Sequence, residues 1–125
     1  MSNYLENELL DHVLRNAAYT SPSTVYIGLS TGSFGDDNSG TEISGNGYAR
    51  QSIAFDAASG GTTDNTSNVD FPAATGSWGT VSHYGIFDAS SSGNLLIHGA
   101  FSSSKAVTTG DILRIAAGEL DITAA

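Results

Sequence analysis

The chain of 125 residues contains no cysteine and only four basic side chains. Without cysteine, disulfides and thiolate metal sites are excluded, so stability must come from packing and backbone hydrogen bonding. Phosphate backbones and anionic membrane surfaces are bound by clustered Lys and Arg. Here Arg15, Arg50, Lys105 and Arg114 are scattered through a chain of net charge −9. The composition therefore argues against a nucleic acid or a membrane surface as the partner.

Long apolar runs, internal repeats and heptads are missing as well. A bilayer span needs roughly 18 consecutive apolar residues, and no run in this sequence approaches that length. Residues 1–4 (MSNY) supply neither the basic region nor the apolar core of a signal peptide. We therefore expect synthesis in the cytoplasm of the producing cell. The length predicts one domain over residues 1–125.

The first segment predicts an amphipathic helix over residues 3–18. Asn3 and Glu6 have the spacing of a capping box. Acidic residues come early and Arg15 comes late, which suits the helix dipole. Apolar residues recur at helical spacing at Leu5, Leu9, Leu10, Val13, Leu14 and Ala17.

Residues 23–125 alternate between short β-type segments and turns rich in Gly, Ser and Asp. A βαβ rhythm is absent, which argues against a parallel sheet. Residues 31–47 and 57–65 are predicted loops, 78–87 is the longest predicted strand, and the last two strands form a predicted terminal hairpin. The pattern predicts a mainly β, antiparallel β-sandwich or jelly-roll-like single domain with one N-terminal α-helix. The predicted strands are 24–29, 48–55, 67–71, 78–87, 95–101, 112–115 and 120–122.

The polar residues do not assemble into a predicted reaction centre. His83 and His98 flank a predicted hairpin and could begin a metal site, but a third ligand is not evident and cross-strand packing is favoured. Ser82 precedes His83 on a strand, so the two side chains should point to opposite faces and should not hydrogen-bond. Residues 36–42 (DDNSGTE) resemble fragments of a calcium loop without its spacing, and a turn is favoured. We therefore predict no enzymatic activity, no cofactor and no bound metal.

One basic residue points to a specific contact. Arg50 lies at the start of a predicted strand in an acidic chain, so it should have a carboxylate partner. Glu42 and Asp88 of the same chain are candidates, as is an acid on a neighbouring subunit, and an internal clamp is favoured.

The aromatic residues have two interpretations. Tyr26, Tyr48, Trp78, Tyr84 and Phe87 could form a sugar-stacking platform, but large aromatic side chains are also ordinary core residues of a sandwich, which is favoured. Six residues are predicted to contact other subunits: Leu5, Leu9, Tyr48, Arg50, Trp78 and His83.

Six segments, in order along nearly the whole chain, resemble a known family. They are residues 9–14 (LLDHVL), 22–30 (PSTVYIGLS), 40–51 (GTEISGNGYARQ), 69–74 (VDFPAA), 78–88 (WGTVSHYGIFD) and 93–96 (GNLL). The family is one of small virion structural proteins of tailed bacteriophages, commonly labelled phage tail fibre proteins.

The resemblance implies a non-enzymatic virion component that contacts major capsid or tail proteins on the outer surface of the particle. A fibre normally needs a shaft, and the sequence has no repeat that would build one. A subunit that decorates or cements the capsid is therefore favoured, and a tail-fibre or baseplate module, with possible glycan binding, is the alternative. A homo-oligomer, such as a trimer, is expected from the symmetry of virus particles.

Overall fold

The structure, a computed structural model, describes residues 1–124, so Ala125 at the end of the predicted domain lies outside the described residues. Among the described residues no helix is long and apolar enough to cross a bilayer. The described chain forms one helix and eight strands: α1 (Asn3–Leu14), β1 (Val25–Ser30), β2 (Gln51–Ile53), β3 (Thr62–Asp64), β4 (Val69–Asp70), β5 (Gly79–Phe87), β6 (Leu95–Val107), β7 (Arg114–Ile115) and β8 (Asp121–Thr123).

The strands form one larger antiparallel sheet and two short antiparallel ribbons. The sheet has the order β2-β1-β5-β6, and the ribbons pair β3 with β8 and β4 with β7. The predicted mainly β, antiparallel sandwich with one N-terminal helix is confirmed. The turn at residues 90–94 joins β5 to β6 as predicted, because Ser92 and Gly93 both adopt the left-handed backbone that a tight reversal needs.

The main core lies on one face of the four-stranded sheet. Ile27 and Leu29 of β1 are fully buried on that face, directly opposite Ile86 and Tyr84 of β5. Large side chains from the segments around the ribbons belong to the same cluster, which joins the layers of the sandwich. These are Val69, Phe71, Leu113, Ile115 and Leu120.

The other face of the sheet carries a smaller cluster. Because side chains alternate along a strand, Gly28 of β1 and its partner Gly85 of β5 face this side. A Cβ atom at Gly28 would lie 2.7 Å from a carboxylate oxygen of Glu42, so only glycine permits that approach. Phe34, Phe87 and Leu95 form the buried apolar part of this second cluster.

Helix α1 begins and ends differently from the prediction. The N-cap is Ser2, whose Oγ accepts a hydrogen bond from the Leu5 amide at 3.2 Å, and not Asn3. The helix ends at Leu14, before the predicted end at residue 18. Asn16 has φ +58°, a left-handed conformation that Asn tolerates and that stops a helix.

The C-terminal strands pair differently from the prediction. The predicted hairpin between residues 112–115 and 120–122 is wrong, because β7 pairs with β4 and β8 pairs with β3. The predicted loop at 57–65 contains β3, and β6 is longer than the predicted longest strand. The predicted strand at 48–55 shortens to the three residues of β2, because only Gln51–Ile53 pair with β1 and the amide of Tyr48 donates to the carbonyl of Gly45 in a turn.

Candidate interaction surfaces

Arg50 is held inside the chain by Glu42. Its Nε lies 2.9 Å from Oε2 and its Nη2 lies 2.8 Å from Oε1 of that carboxylate, which is a bidentate, charge-assisted contact. The Arg50 side chain is only 8% exposed and that of Glu42 is 23% exposed. The predicted internal clamp is therefore confirmed, with Glu42 and not Asp88 as the partner.

The remaining guanidinium contacts fix the turn between β5 and β6. Nη1 of Arg50 donates to the carbonyls of Ala89 at 2.9 Å and Ser92 at 2.8 Å. The guanidinium carbon lies 3.6 Å from the centre of the Phe87 ring, a cation–π contact. The Arg50 side chain thus links the segment before β2 to the turn between β5 and β6.

Tyr48 extends this network to β1. Its hydroxyl donates to Oε2 of Glu42 and accepts the amide of Leu29 at 2.9 Å. Burial, reinforced by the Glu42 carboxylate, raises the pKa of Tyr48 far above its ordinary value, so the phenol stays protonated. Tyr48 and Arg50, both predicted as contacts with other subunits, are therefore occupied within their own chain.

Trp78 belongs to the core. It is 5% exposed, and its Nε1 donates to the carbonyl of Asn46 at 2.9 Å. Its ring meets the edge of Tyr48 at a centroid distance of 5.5 Å and of Phe71 at 6.4 Å. Tyr84 and Phe87 are buried as well. The favoured interpretation of the five aromatic residues as core is confirmed for Trp78, Tyr84 and Phe87. Tyr48 packs against that core half-buried, and Tyr26 is half-buried outside both clusters, so the interpretation does not hold for Tyr26.

The two strand histidines have separate local partners. His83 and His98 share a face of the sheet, but His83 lies opposite Ala100 whereas His98 lies opposite Gly85. His98 Nε2 contacts Oδ1 of Asp36 at 2.7 Å. Within residues 1–124 no group of three His, Asp or Glu side chains is placed to hold a metal ion.

Ser82 and His83 do hydrogen-bond, contrary to the prediction. Ser82 Oγ lies 2.7 Å from His83 Nδ1. The pairing between β5 and β6 is irregular here, since it passes from Val81–Lys105 to His83–Ala100. At such a bulge the alternation of side chains between faces no longer holds.

The acidic residues of the 36–42 segment are dispersed among different partners. Asp36 contacts His98, and Glu42 contacts Arg50. Asp37 accepts the amide of Ser39 at 3.1 Å. Hydrogen bonding from the hydroxyl of Ser39, and then from its amide, holds the pKa of the Asp37 carboxyl below the ordinary value. The favoured interpretation as a turn stabilised by side-chain to backbone bonds is confirmed.

Helix α1 is fastened at one end only. Ser2, just before it, is buried, and its amide donates to the carbonyl of Leu96 at 2.8 Å while its hydroxyl bonds the carbonyl of Leu95. Leu5 and Leu9, both predicted interaction residues, are half-buried. Their involvement in contacts with another subunit stays a prediction, as does that of His83.

The C-terminal half of α1 has an exposed apolar face that is not among the six predicted contact residues. Leu10 is 57% exposed, Val13 68% and Leu14 73%, so the C-terminal half of the helix presents aliphatic side chains to solvent. Together with Leu5 and Leu9 they form too wide an apolar sector for one contact with the sheet. The width of that sector at 100° per residue was the sequence signal that part of the apolar face would stay exposed.

A groove of about 360 Å³ lies at the opposite end of the β5–β6 hairpin. Its floor is made of buried apolar side chains, Val81, Leu113 and Leu120, and the half-buried ring of Phe101 lines it. Its rim carries charges of both signs, on Lys105, Glu119 and Asp121. No feature of the sequence pattern indicated this groove, because it depends on how β7 and β8 pair.

A family model described as podophage GP4 fiber I protein gp80 matches residues 1–123. No curated protein matches the chain.

Proposed function

Because the chain belongs to the podophage GP4 fiber I protein gp80 family, we propose that it is a non-enzymatic structural subunit of a phage tail fibre. Membership of this family makes the chain a structural protein of a phage virion. What we propose beyond this is its position within the virion, in the tail fibre. The sequence has no repeat that would build a shaft, which favoured a subunit that decorates the capsid. The description of the family as a fibre protein supports a position in the tail instead.

The observation that carries this proposal is the contrast between a rigid body and a projecting helix. The Arg50–Glu42–Tyr48 network locks β1 to the β5–β6 hairpin, so the sandwich acts as one block. From it projects α1, with Leu10, Val13 and Leu14 exposed to solvent. An isolated subunit gains nothing from such exposure, whereas a subunit bound in a fibre would bury it.

The mechanism we propose is mechanical. Each copy contributes contact free energy only in the assembled particle, so assembly stabilises the folded subunit by mass action. A stable interface buries on the order of 800 Å² on each partner. We propose that the subunit buries such an interface area in two ways. It forms the predicted homo-oligomer, such as a trimer, and it contacts other phage proteins.

The test locates the protein on the particle. Virions are labelled with a gold-conjugated antibody against this chain, and heads separated from tails are analysed for it by quantitative mass spectrometry. We expect gold and peptides with the tail fraction, and an antibody against the major capsid protein serves as the control for heads. Label spread over the head surface would establish the capsid-decoration alternative and overturn the proposal.

A further inference from the structure

We propose that the groove beside β6 binds a neutral polyhydroxylated ligand of monosaccharide or disaccharide size. The polar contacts come from the side chains of Tyr84, Ser103, Lys105, Glu119 and Asp121, which all line the groove. The structural role proposed for the chain does not require such a site. The inference therefore assigns a second activity to the domain, and it does not depend on where the protein lies on the virion.

The hydroxyl of Tyr84 is the observation that carries the inference. Tyr84 is only 7% exposed and its ring belongs to the main core, yet no hydrogen bond among residues 1–124 involves its hydroxyl. Because no sealed side-chain polar atom in this part of the chain lacks a partner, the hydroxyl must open to the groove. Burial raises the pKa of Tyr84 above its ordinary value, so the phenol stays protonated and can donate to a ligand.

The backbone of β6 makes room for this hydroxyl. Gly99 lies directly opposite Tyr84, and a Cβ atom at Gly99 would lie 2.7 Å from the hydroxyl oxygen of Tyr84. Only glycine therefore lets the phenol lie over β6 beside the groove. The ring of Phe101 packs against that of Tyr84 at a centroid distance of 5.4 Å. The position of the hydroxyl is thus fixed by packed residues.

The rim offers donors and acceptors in a combination that matches hydroxyl groups. Carboxylates only accept hydrogen bonds, an ammonium group only donates them, and hydroxyls do both. Glu119 Oε2 accepts the amide of Ala116 at 2.7 Å, but no hydrogen bond among residues 1–124 uses Glu119 Oε1 or the Asp121 carboxylate. Lys105 Nζ lies 3.4 Å from the carbonyl of Arg114, a long contact that leaves ammonium protons for a ligand. A ligand hydroxyl can donate to these carboxylates and accept from Lys105.

The size and charge balance of the groove narrow the ligand further. Its volume of about 360 Å³ lies near the lower end of the range of about 300 to 1,000 Å³ for small-molecule sites. Val81, Leu113 and Leu120 are almost fully buried in its floor, so the half-buried ring of Phe101 supplies the apolar contact. The C–H face of a sugar packs on such a ring while its hydroxyls meet the polar rim. Because the rim carries charges of both signs, a ligand without net charge suits it.

This site differs from the sugar-stacking platform that the sequence suggested. Trp78 and Phe87, two members of that set, are buried in the two apolar clusters. Of the five aromatic residues considered for the platform, Tyr84 alone lines the groove. The structure therefore assigns the sugar to a polar groove beside Phe101, a residue that was not part of the platform.

Titration with sugars, followed by NMR, tests the inference. The isotope-labelled chain is titrated with glucose, galactose, mannose, N-acetylglucosamine, maltose and lactose, and with glycine as a zwitterionic probe. We expect at least one sugar to shift the amides of Phe101, Ser102 and Ser103 saturably, while those of β2, at the other edge of the sheet, stay in place. Absence of saturable shifts at the groove with every sugar overturns the inference. Shifts with glycine alone overturn the assigned ligand class.

Two variants separate ligand binding from folding. Tyr84→Phe removes only the hydroxyl, so it should weaken sugar binding roughly fivefold, which corresponds to one hydrogen bond, without lowering the melting temperature. Asp121→Asn removes a charged acceptor at an exposed position and should weaken binding about tenfold. Tyr26→Phe is the matched control, because Tyr26 lies outside the groove, and it should leave the affinity unchanged.

Full affinity in both Tyr84→Phe and Asp121→Asn would show that the sugar binds elsewhere and would overturn the assignment. A clear fall in the melting temperature of Tyr84→Phe would also count against it, since the hydroxyl would then serve the fold. These outcomes are distinct from those of the virion labelling. Label on the head with sugar bound at the groove would refute the fibre position alone, whereas label on the tail without sugar binding would refute only the groove site.

Discussion

Helix α1 and strand β1 both carry large aliphatic side chains, but they bury them to opposite extents. Ile27 and Leu29 of β1 are fully buried, whereas Leu10 and Leu14 of α1 are more than half exposed. The difference lies in their neighbours, because β1 is a central strand between β2 and β5 while α1 is fastened at its N-terminal end beside β6. The contacts of β1 hold the domain together, whereas the exposed face of α1 contributes little to the packing of the subunit.

The largest expected difference comes from one substitution made in both regions. Leu29→Ala should cost about 3 to 5 kcal/mol of unfolding free energy, since it leaves a cavity among fully buried neighbours. Leu14→Ala should change it by less than about 0.5 kcal/mol, because that side chain is 73% exposed. Urea unfolding followed by tryptophan fluorescence measures both, since Trp78 lies in the core. Equal losses would contradict the comparison and show that α1 is packed in solution.

The second prediction compares two arginines that each make a bidentate contact with a carboxylate. Arg50→Ala should cost about 3 kcal/mol, because it leaves the partly buried Glu42 without its counter-charge and removes two bonds to the β5–β6 turn. Arg50→Lys keeps the charge but not the fork of donors, so its loss should be intermediate.

Arg114→Ala is the matched control for this prediction. Arg114 bonds both oxygens of Asp70, at 2.6 and 3.0 Å, but its side chain is 61% exposed. Because exposed ion pairs contribute little to stability, its loss should be much smaller than that of Arg50. Chemical unfolding of the three variants side by side measures their free energies of unfolding. Similar losses of unfolding free energy in Arg50→Ala and Arg114→Ala would show that burial does not make the Arg50 contact stronger.

The third prediction concerns the attachment of α1. Ser2→Ala removes the N-cap acceptor and the buried hydroxyl that bonds the carbonyl of Leu95, so it should cost about 1 to 2 kcal/mol. The amides of α1 should exchange with deuterium faster, while those of β1 and β5 keep their protection. Ser23→Ala, at an exposed position before β1, is the control and should change neither. Unchanged exchange in α1 would show that the cap does not anchor the helix.

Local sequence signals predicted the parts of the structure that local chemistry decides. The helix followed from the apolar spacing between Leu5 and Leu14, and the β5–β6 turn followed from its run of serines and glycine. The internal partner of Arg50 followed from the scarcity of basic residues, because a lone cation in an acidic chain has many carboxylates to choose among.

Long-range packing decided what the sequence did not reveal. β4 and β7 have two residues each, too few for an alternation pattern to select a partner, so their pairing depends on the burial of Leu113 and Ile115 in the core. The Ser82–His83 contact arises from a bulge in the pairing of β5 with β6. The groove beside β6 depends on where β7 and β8 pair, so no local sequence pattern indicated it.

The smallest expected effect is a gain in stability from removing a charge at the β3–β8 ribbon. Asp64 lies directly opposite Asp121, and like charges in such positions are destabilising. Burial raises the pKa of Asp64 above its ordinary value, and the carboxylates of Asp56 and Asp121 raise it further. The folded protein therefore binds a proton at this site more readily than the unfolded chain, so the ionised carboxylate lowers stability as the pH rises through the folded-state pKa.

Asp64→Asn should accordingly raise the melting temperature slightly at neutral pH, and the gain should vanish well below the pKa of the carboxyl. Asp111→Asn should do the reverse. Hydrogen bonds from the amide and hydroxyl of Thr108 hold the pKa of Asp111 below its ordinary value, so its ionised form stabilises the folded chain at neutral pH and this contribution is lost on acidification. Melting curves of both variants over a pH series separate the two signs. A loss of stability in Asp64→Asn at neutral pH would mean that this carboxylate has a favourable partner that outweighs its burial and the repulsion from Asp56 and Asp121.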